Sequence, residues 1–487
     1  MTRPPMNLAM PWADPDDRLY SSPTSFLVKF KLGEAPGHAP AALDVFQCCH
    51  DPAHHLDGGP IDRVVSRYAG GVRAARLHAA ARNLDRVGCR HQGYDDVEEI
   101  TGIARTYLLR VPSGAPIAHI CDCLRQLPTV ESAMPNYIAL TPFDAAPGLE
   151  RPTRTDDETA WAPRHMVGLT EALELERGDP GILVGLIDSG VAPGHRELAG
   201  SFRAGGYDTV KLQPGDVAPG VRLLGDYSDD DTEPNDDFVG HGMGCAGIIA
   251  AQGLEMPPGL AGACRILPMR ALGAAKVPQK INPIGLGAIA DLDLAATLAV
   301  NLGTKVLNLS FGTSDALLVP GMPRPHEDTI AYAAARGCVI VAASGNSGQD
   351  EIFWPAAFPN VIAIGAVNEQ GQPADFSTRG DHVALCAPGA RILTTSLSSY
   401  QYATGTSFAA PFVAAAAALL VSRAASRARP LSGSEARDIL IRSARPFPGG
   451  VQHSGCGAGI LDAAAALTTL DEMLVHSPGP GGLRHAA

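Results

Sequence analysis

Long apolar runs are missing from this sequence. The opening residues, Met1 to Trp12, hold no continuous hydrophobic segment and run into acids at Asp14, so no secretory leader is expected. The most apolar stretch, Phe408 to Leu420, contains Pro411 and falls short of the ~20 residues that a membrane span needs. It is expected to be a buried helix, and no membrane span is expected. Positive charge is in deficit as well: 38 Lys and Arg against 51 Asp and Glu give a net charge of −13. Nucleic acid and anionic membrane surfaces are therefore disfavoured as partners. No two of the ten cysteines have the C-x-x-C spacing of a zinc site, and Cys121 and Cys123 are too close for one structural site. Reduced thiols follow, in a protein expected in the cytoplasm or exported without a signal peptide.

What is present suits an α/β protein with many loops: 487 residues, 45% hydrophobic and 18% charged, with 53 Gly and 40 Pro. Residues 1–20 read as a flexible N-terminus. Residues 21–140 hold a small α+β unit: strands at Ser25–Leu32 and Ile103–Val111, a helical pattern over Ile61–Asn83 broken at Gly70–Gly71, a helix at Pro116–Leu127 and an extended piece at Thr129–Leu140. Residues 141–160 lack periodicity and read as a linker. Residues 161–470 alternate short apolar strands with helices, the pattern of a mostly parallel sheet flanked by helices. Residues 471–487 read as a flexible tail.

Four segments of the large unit carry chemistry. Gly181–Asp188 is an apolar run delivering an acid at its carboxyl end, where α/β sheets place ligands. His241 stands between glycines at the head of a small-residue helix, with room beside the imidazole for a substrate. Val339–Gly348 is a buried strand breaking into Ser-Gly-Asn, and Asn346 can aim its amide at developing negative charge. Ser407, in Gly405-Thr-Ser-Phe-Ala-Ala-Pro411, opens the apolar helix, where unpaired N–H groups can stabilise an oxyanion. Each has an ordinary explanation in turn or cap chemistry. The four together, in the order Asp, His, Asn, Ser, do not share one, and the order matches one of the known serine hydrolase triads.

These segments resemble the subtilisin-like serine proteases over residues 161–467: VGLIDSGV (184–191), GHGMGCAG (240–247), VLNLSFG (306–312), VIVAASGN (339–346) and GTSFAAP (405–411). The resemblance implies an Asp188–His241–Ser407 triad and an oxyanion hole built from Asn346 with the Ser407 backbone N–H. It implies substrate held as an extended strand by Ser310, Phe311 and Gly312 and by Ala343, Ser344 and Gly345. His195, in GHREL, matches a structural histidine of the family. No cofactor is implied for the chemistry; calcium is common in the family, although no loop here has EF-hand spacing. Residues 21–140 are similar to the family's ferredoxin-like inhibitory and folding-assisting propeptides, with a processing site in 141–160.

The sequence departs from the family in three places. His-Gly-Met-Gly replaces the usual His-Gly-Thr-His, a change bearing on local packing. Cys245, four residues after His241 and so on the same helix face, reads first as a small buried hydrophobe and second as a thiol open to mercurial or oxidative inhibition. Phe353, before Trp354-Pro355, stands where many members have a glycine near the base of the S1 pocket, which implies preference for small P1 residues. The acidic run Asp226–Asp237 reads first as a solvated loop, then as a cation site or a selector of basic substrates.

The expected function is a serine endopeptidase acting on proteins or peptides, made as a self-inhibited precursor or restrained by an inhibitor protein. The alternatives are a catalytically silent peptide-binding protein on the same fold and a peptide transacylase or macrocyclase.

Overall fold

The computed structural model describes residues 21–84, 93–141, 158–227, 231–278, 280, 282–318 and 321–476. Residues 1–20, most of the expected linker and the end of the expected tail lie outside them.

The N-terminal unit is an antiparallel sheet of β1 (Ser21–Phe30), β2 (Arg73–Arg76), β3 (Thr106–Arg110) and β4 (Val130–Leu140), in the order β2-β3-β1-β4. Its helices are α1 (Ala42–Phe46), α2 (Pro60–Ala69), α3 (Asp96–Thr101) and α4 (Ile117–Leu124). Alternation along the strands sets the two faces. Phe26, Val28, Phe30, Tyr107 and Leu109 pack with Val65 of α2 and Ile120 and Leu124 of α4. Leu27, Leu108 and Tyr137 point the other way, into a cluster belonging to the large unit. The helical pattern expected over Ile61–Asn83 stops at Ala69. Gly70 takes the left-handed conformation (φ 76°) that ends a helix, and the chain turns into β2.

The large unit opens with α5 (Glu158–Met166) and α6 (Leu169–Leu175), then builds a seven-stranded sheet. Its strands are β5 (Leu183–Asp188), β6 (Tyr207–Asp208), β8 (Arg265–Arg270), β11 (Val306–Leu309), β13 (Val339–Ala343), β15 (Val361–Val367) and β16 (Val383–Pro388). They run in the order β16-β15-β13-β11-β5-β8-β6, every neighbouring pair parallel. Both faces are covered, as parallel sheets require. On one face Val184 and Leu186 meet α7 (His241–Ala250) and α10 (Thr406–Ser426), backed by α11 (Gly433–Arg442) and α12 (Ala463–His476). On the other, Ile187, Leu307 and Leu309 meet α8 (Ile289–Asn301) and α9 (Glu327–Ala335). The α/β architecture read from the sequence is the one found.

A second sheet joins the two units. β4 pairs antiparallel with β10 (Ile284–Ala288), which pairs with β9 (Gly273–Lys276) and, through it, β7 (Arg222–Leu224). The result is one seven-stranded sheet, β2-β3-β1-β4-β10-β9-β7. Two short antiparallel ladders, β12 (Thr313–Ser314) with β14 (Phe353–Trp354) and β17 (Ile392–Thr395) with β18 (Tyr400–Ala403), complete the strands.

Helix bounds correct three sequence readings. α10 has 21 residues, more than its apolar run suggested, and is long and apolar enough to cross a membrane; 83% of its most apolar window is nonetheless buried inside the protein. α12 runs to His476, into the stretch read as tail, because Leu467 and Leu470 seat it against the core. α5 begins at Glu158, inside the expected linker, anchored by buried Ala160.

Candidate active site

Three adjacent strands aim at one place. Asp188 is the last residue of β5, Ser310 follows β11, and Ser344, Gly345 and Asn346 follow β13. All leave the sheet at its carboxyl edge, where open α/β sheets bind ligands. His241 is the first residue of α7 and Ser407 the second of α10.

Asp188 and His241 are joined directly: Nδ1 of His241 lies 2.7 Å from Oδ1 of Asp188, and both residues are fully buried. The same carboxylate oxygen accepts the Ser189 backbone N–H at 2.7 Å. A carboxylate on Nδ1 fixes the imidazole with its proton there, leaving Nε2 the basic nitrogen. Gly242 permits the approach, since a Cβ on it would overlap the Gly190 carbonyl and sit 3.3 Å from the Asp188 Cβ.

Asp236 holds the turn that presents His241. Its Oδ2 accepts the Ser189 hydroxyl (2.7 Å) and Gly240 N–H (2.8 Å); its Oδ1 accepts the N–H of Phe238 (3.0 Å) and of Val239 (2.8 Å). Ser189 Oγ in turn accepts from Gly242 N–H at 3.0 Å. Asp236 is 4% exposed, so this part of the acidic run is a buried staple and not the solvated loop expected; Asp237 beside it is exposed. Nothing local in the sequence separates the two. Residues 228–230 of the run lie outside the described residues.

Ser407 owes its setting to Pro411. A proline four residues into a helix offers no N–H to the carbonyl behind it, so the Ser407 carbonyl loses its helical partner. The Ser310 hydroxyl (2.8 Å) and the Cys245 thiol (3.4 Å) donate to it instead. The Ser407 hydroxyl donates to the Ser310 carbonyl at 3.1 Å. Asn308 Nδ2 donates to Ser310 Oγ at 2.9 Å, completing the support.

Asn346 is oriented by Thr406. Its Oδ1 accepts both the Thr406 N–H (2.8 Å) and hydroxyl (2.9 Å), so the amide nitrogen forms the other end, 3.3 Å from where a Cβ on Gly405 would stand. Nothing in the sequence alone marks Thr406 as the clamp on Asn346. Ser344 and Gly345 are tied to Thr378: the Ser344 hydroxyl donates to the Thr378 carbonyl (3.1 Å) and the Thr378 N–H to the Gly345 carbonyl (3.0 Å). Phe311 is buried, its ring edge-on to His326 at 5.5 Å.

Cys245 lies fully buried beneath His241, and burial, reinforced by the Asp188 charge, pushes its thiol well above the usual range. It stays protonated and serves as a hydrogen-bond donor. A carboxylate oxygen of Asp188, a ring nitrogen of His241 and the Cys245 sulfur lie within 4.8 Å of one another, close enough to surround a metal ion. His195 stands apart, its Nε2–H donating to the Ser399 carbonyl (2.9 Å) and its Nδ1 accepting the Glu197 N–H (3.3 Å). In the departing motif, Met243 is buried and its sulfur accepts the Ala192 N–H. Gly244 leaves space for Phe408, whose Cε1 would lie 2.7 Å from a Cβ there.

The chain also places a strand of its own on β10. Ile138, Ala139 and Leu140 pair with Ala288, Gly287 and Leu286, and Thr141 N–H donates to the Gly285 carbonyl at 2.9 Å. Gly285 N–H returns a bond to Thr141 Oγ1 at 2.9 Å. Leu140 packs against two apolar clusters, the one on the α8–α9 face of the parallel sheet and a smaller one with Ile138, Leu286 and Ala288. β10 was not singled out in the sequence.

The family model described as the subtilase family matches residues 179–459. The chain belongs to the subtilase family. It is 34% identical over 313 residues to the thermophilic serine proteinase of Bacillus sp. (strain AK1), covering 62% of this chain and 66% of that protein. It is 32% identical to thermitase of Thermoactinomyces vulgaris, covering 52% of this chain and 79% of that one. Against the extracellular basic protease of Dichelobacter nodosus it is 31% identical and spans only 51% of the relative's length. Among solved structures, proteases from Pseudoalteromonas arctica superpose with a TM-score of 0.53 at 24% identity, covering 65% of this subtilase and 99% of that chain, a likeness of fold.

Proposed function

We propose that this subtilase is a serine endopeptidase that cuts proteins or peptides through an acyl-enzyme, and that it is made as a self-inhibited precursor. The observation that carries the reading is the 2.7 Å Asp188–His241 contact at the sheet edge that also presents Ser407 and Asn346. The Ser407 Oγ attacks the scissile carbonyl carbon while its proton passes to His241 Nε2. Asp188 keeps the ring in place and stabilises the imidazolium. The negative oxygen takes hydrogen bonds from Asn346 Nδ2 and the Ser407 backbone N–H, the latter among the first-turn donors that no helical carbonyl accepts. The imidazolium then protonates the leaving amine, and water attacks the acyl-enzyme by the same route. In the resting arrangement the Ser407 hydroxyl is turned to the Ser310 carbonyl, and it has to leave that carbonyl for His241 Nε2 when substrate binds. No cofactor enters any step.

The β4–β10 pairing supports the precursor reading. A substrate recognised by backbone hydrogen bonds adds a strand to a free edge, and residues 138–141 take that edge. Residues 21–140 then act as the inhibitory unit, and a separate inhibitor protein would compete for the same edge.

Intact mass of wild type beside Ser407→Ala, followed over hours and paired with a fluorophosphonate label, tests both parts. Loss of an N-terminal fragment ending within 141–160 in wild type alone, with label on Ser407, is expected. A chain that neither labels nor cuts itself would return the assignment to a peptide-binding protein. A product lacking the added water would favour transacylation.

A further inference from the structure

The N-terminal unit and the large unit leave a cavity of about 510 Å³ between them, beside α8 and α9. Lys29 of β1, Glu131 of β4 and His78, just beyond β2, line it from one side. Asp293 of α8 and Asp328 of α9 line it from the other, with Arg324 on the approach to α9. Apart from the imidazoles, its walls carry four carboxylates (Glu131, Asp293, Glu327 and Asp328) against two cations (Lys29 and Arg324), an excess of two negative charges. Both cations are engaged. Lys29 Nζ lies 2.8 Å from Glu131 and 2.8 Å from Asp328, and the Arg324 guanidinium lies over the Trp354 ring at 4.6 Å.

His78 adds an acceptor. It is 1% exposed, and its Nδ1 lies 2.9 Å from Thr297 Oγ1. The Thr297 hydroxyl shares its own proton between the carbonyls of Asp293 (3.0 Å) and Leu294 (2.9 Å), so it accepts from Nδ1–H. Nε2 keeps its lone pair and has no partner among the described residues. Burial keeps the ring neutral, its pKa pushed down to about 4. A buried acceptor without a donor is costly, and carboxylates in excess call for a cation. An ammonium group answers both needs, and the walls hold one already, that of Lys29.

We propose that this cavity binds a short aliphatic polyamine, one of whose ammonium groups donates to His78 Nε2 and is neutralised by the carboxylates of the walls. A bare metal ion fits less well: among the described residues, only Asp188, His241 and Cys245 cluster closely enough to surround one. Leu27 and Met134 in the walls suit a methylene chain. The walls come from both units, so the occupant binds only while they are joined and stabilises the joined form by mass action. On the precursor reading above, it therefore delays release of residues 21–140. Binding itself does not depend on that reading.

The test titrates spermidine into the full-length Ser407→Ala chain at constant ionic strength and about pH 8, where alkyl ammonium groups stay charged. Saturable binding of one spermidine per chain, with Kd on the order of 10⁻⁴ M, is expected by calorimetry, together with a higher melting temperature. His78→Phe, which loses the lone pair, is expected to weaken binding about tenfold, the worth of one hydrogen bond to a charged group. If that variant does not fold, Asp328→Asn must weaken binding in the same direction. Lys29→Met removes the resident ammonium and must tighten it. In wild type, saturating spermidine should slow the onset of activity after the cut; an unchanged onset with binding intact would overturn the role in release and leave the site. No saturation at millimolar spermidine, equal binding in all three variants, or Mg²⁺ matching spermidine at equal charge would overturn the proposal. None of these outcomes touches the endopeptidase reading.

Discussion

Ser310 and Ser407 are hydrogen-bonded to each other twice, in opposite senses. The Ser310 hydroxyl donates to the Ser407 carbonyl at 2.8 Å, and the Ser407 hydroxyl donates to the Ser310 carbonyl at 3.1 Å. Pro411 makes the first bond necessary and the loop after β11 makes the second available. Ser310→Ala leaves a buried carbonyl with only the weak thiol donor of Cys245. We expect a stability loss of about 1–2 kcal/mol by denaturant melt and a fall of about tenfold in kcat. An unchanged melt would show that the first bond contributes nothing.

Asn346 does two things with its two ends, and two variants separate them. Asn346→Asp keeps an oxygen for Thr406 but loses the amide donor, whereas Asn346→Ala loses both. Each is expected to lower kcat by about 10²–10³ with little change in KM. Only Asn346→Ala should also lower the melting temperature. A kcat within threefold of wild type in either variant would remove Asn346 from the oxyanion hole.

Asp236 accepts four hydrogen bonds with two oxygens, and Asn can accept at only one of its two ends. Asp236→Asn should loosen the turn that carries His241. The expected sign is a fall in kcat of tenfold or more with KM nearly constant, and a changed pH profile of kcat. A variant that loses KM and keeps kcat would place Asp236 in substrate binding instead.

His78 ties the N-terminal unit to α8, its Nδ1 lying 2.9 Å from Thr297 Oγ1. Burial pushes its pKa down to about 4, against a smaller opposing effect of the Asp293 charge. Asp293 is itself bonded to His326 Nδ1 at 2.7 Å. A histidine depressed on folding binds its proton more readily when unfolded, so its contribution is whole above pH 6.5 and is lost as pH falls towards 4. The loss amounts to about 3 kcal/mol at most. Thermal melts from pH 7 to 4 should show falling stability, and His78→Gln should flatten that slope. An identical slope in the variant would assign it to other groups.

The residues whose chemistry demands a fixed local frame were legible in the sequence. Asp188 at a strand end, His241 between glycines, Asn346 in a Ser-Gly-Asn break and Ser407 before Pro411 each carry their frame in the adjacent residues, and the structure brings all four to one sheet edge. What depends on distant pairing was not legible. Gly285–Gly287 look like any glycine-rich loop until β4 lies against them. Asp236 looks like its neighbours in an acidic run until Ser189 reaches it from β5. Arg73–Arg76 has no β-branched residue and read as helix; its place beside β3 makes it a strand.

The shared sheet has a consequence for how the cleft would be freed. Cutting the covalent link beyond Thr141 leaves β4 still laddered to β10 and Leu27, Leu108 and Tyr137 still packed on the large unit. Scission therefore converts a tethered strand into a bound second chain, and clearing the edge becomes a dissociation. Its extent depends on protein concentration and on competing strands, since the tether no longer sets the local concentration. On the precursor reading, dilution, or digestion of the released unit, would then act as the trigger, and the active fraction reached at equilibrium should rise as the cut protein is diluted.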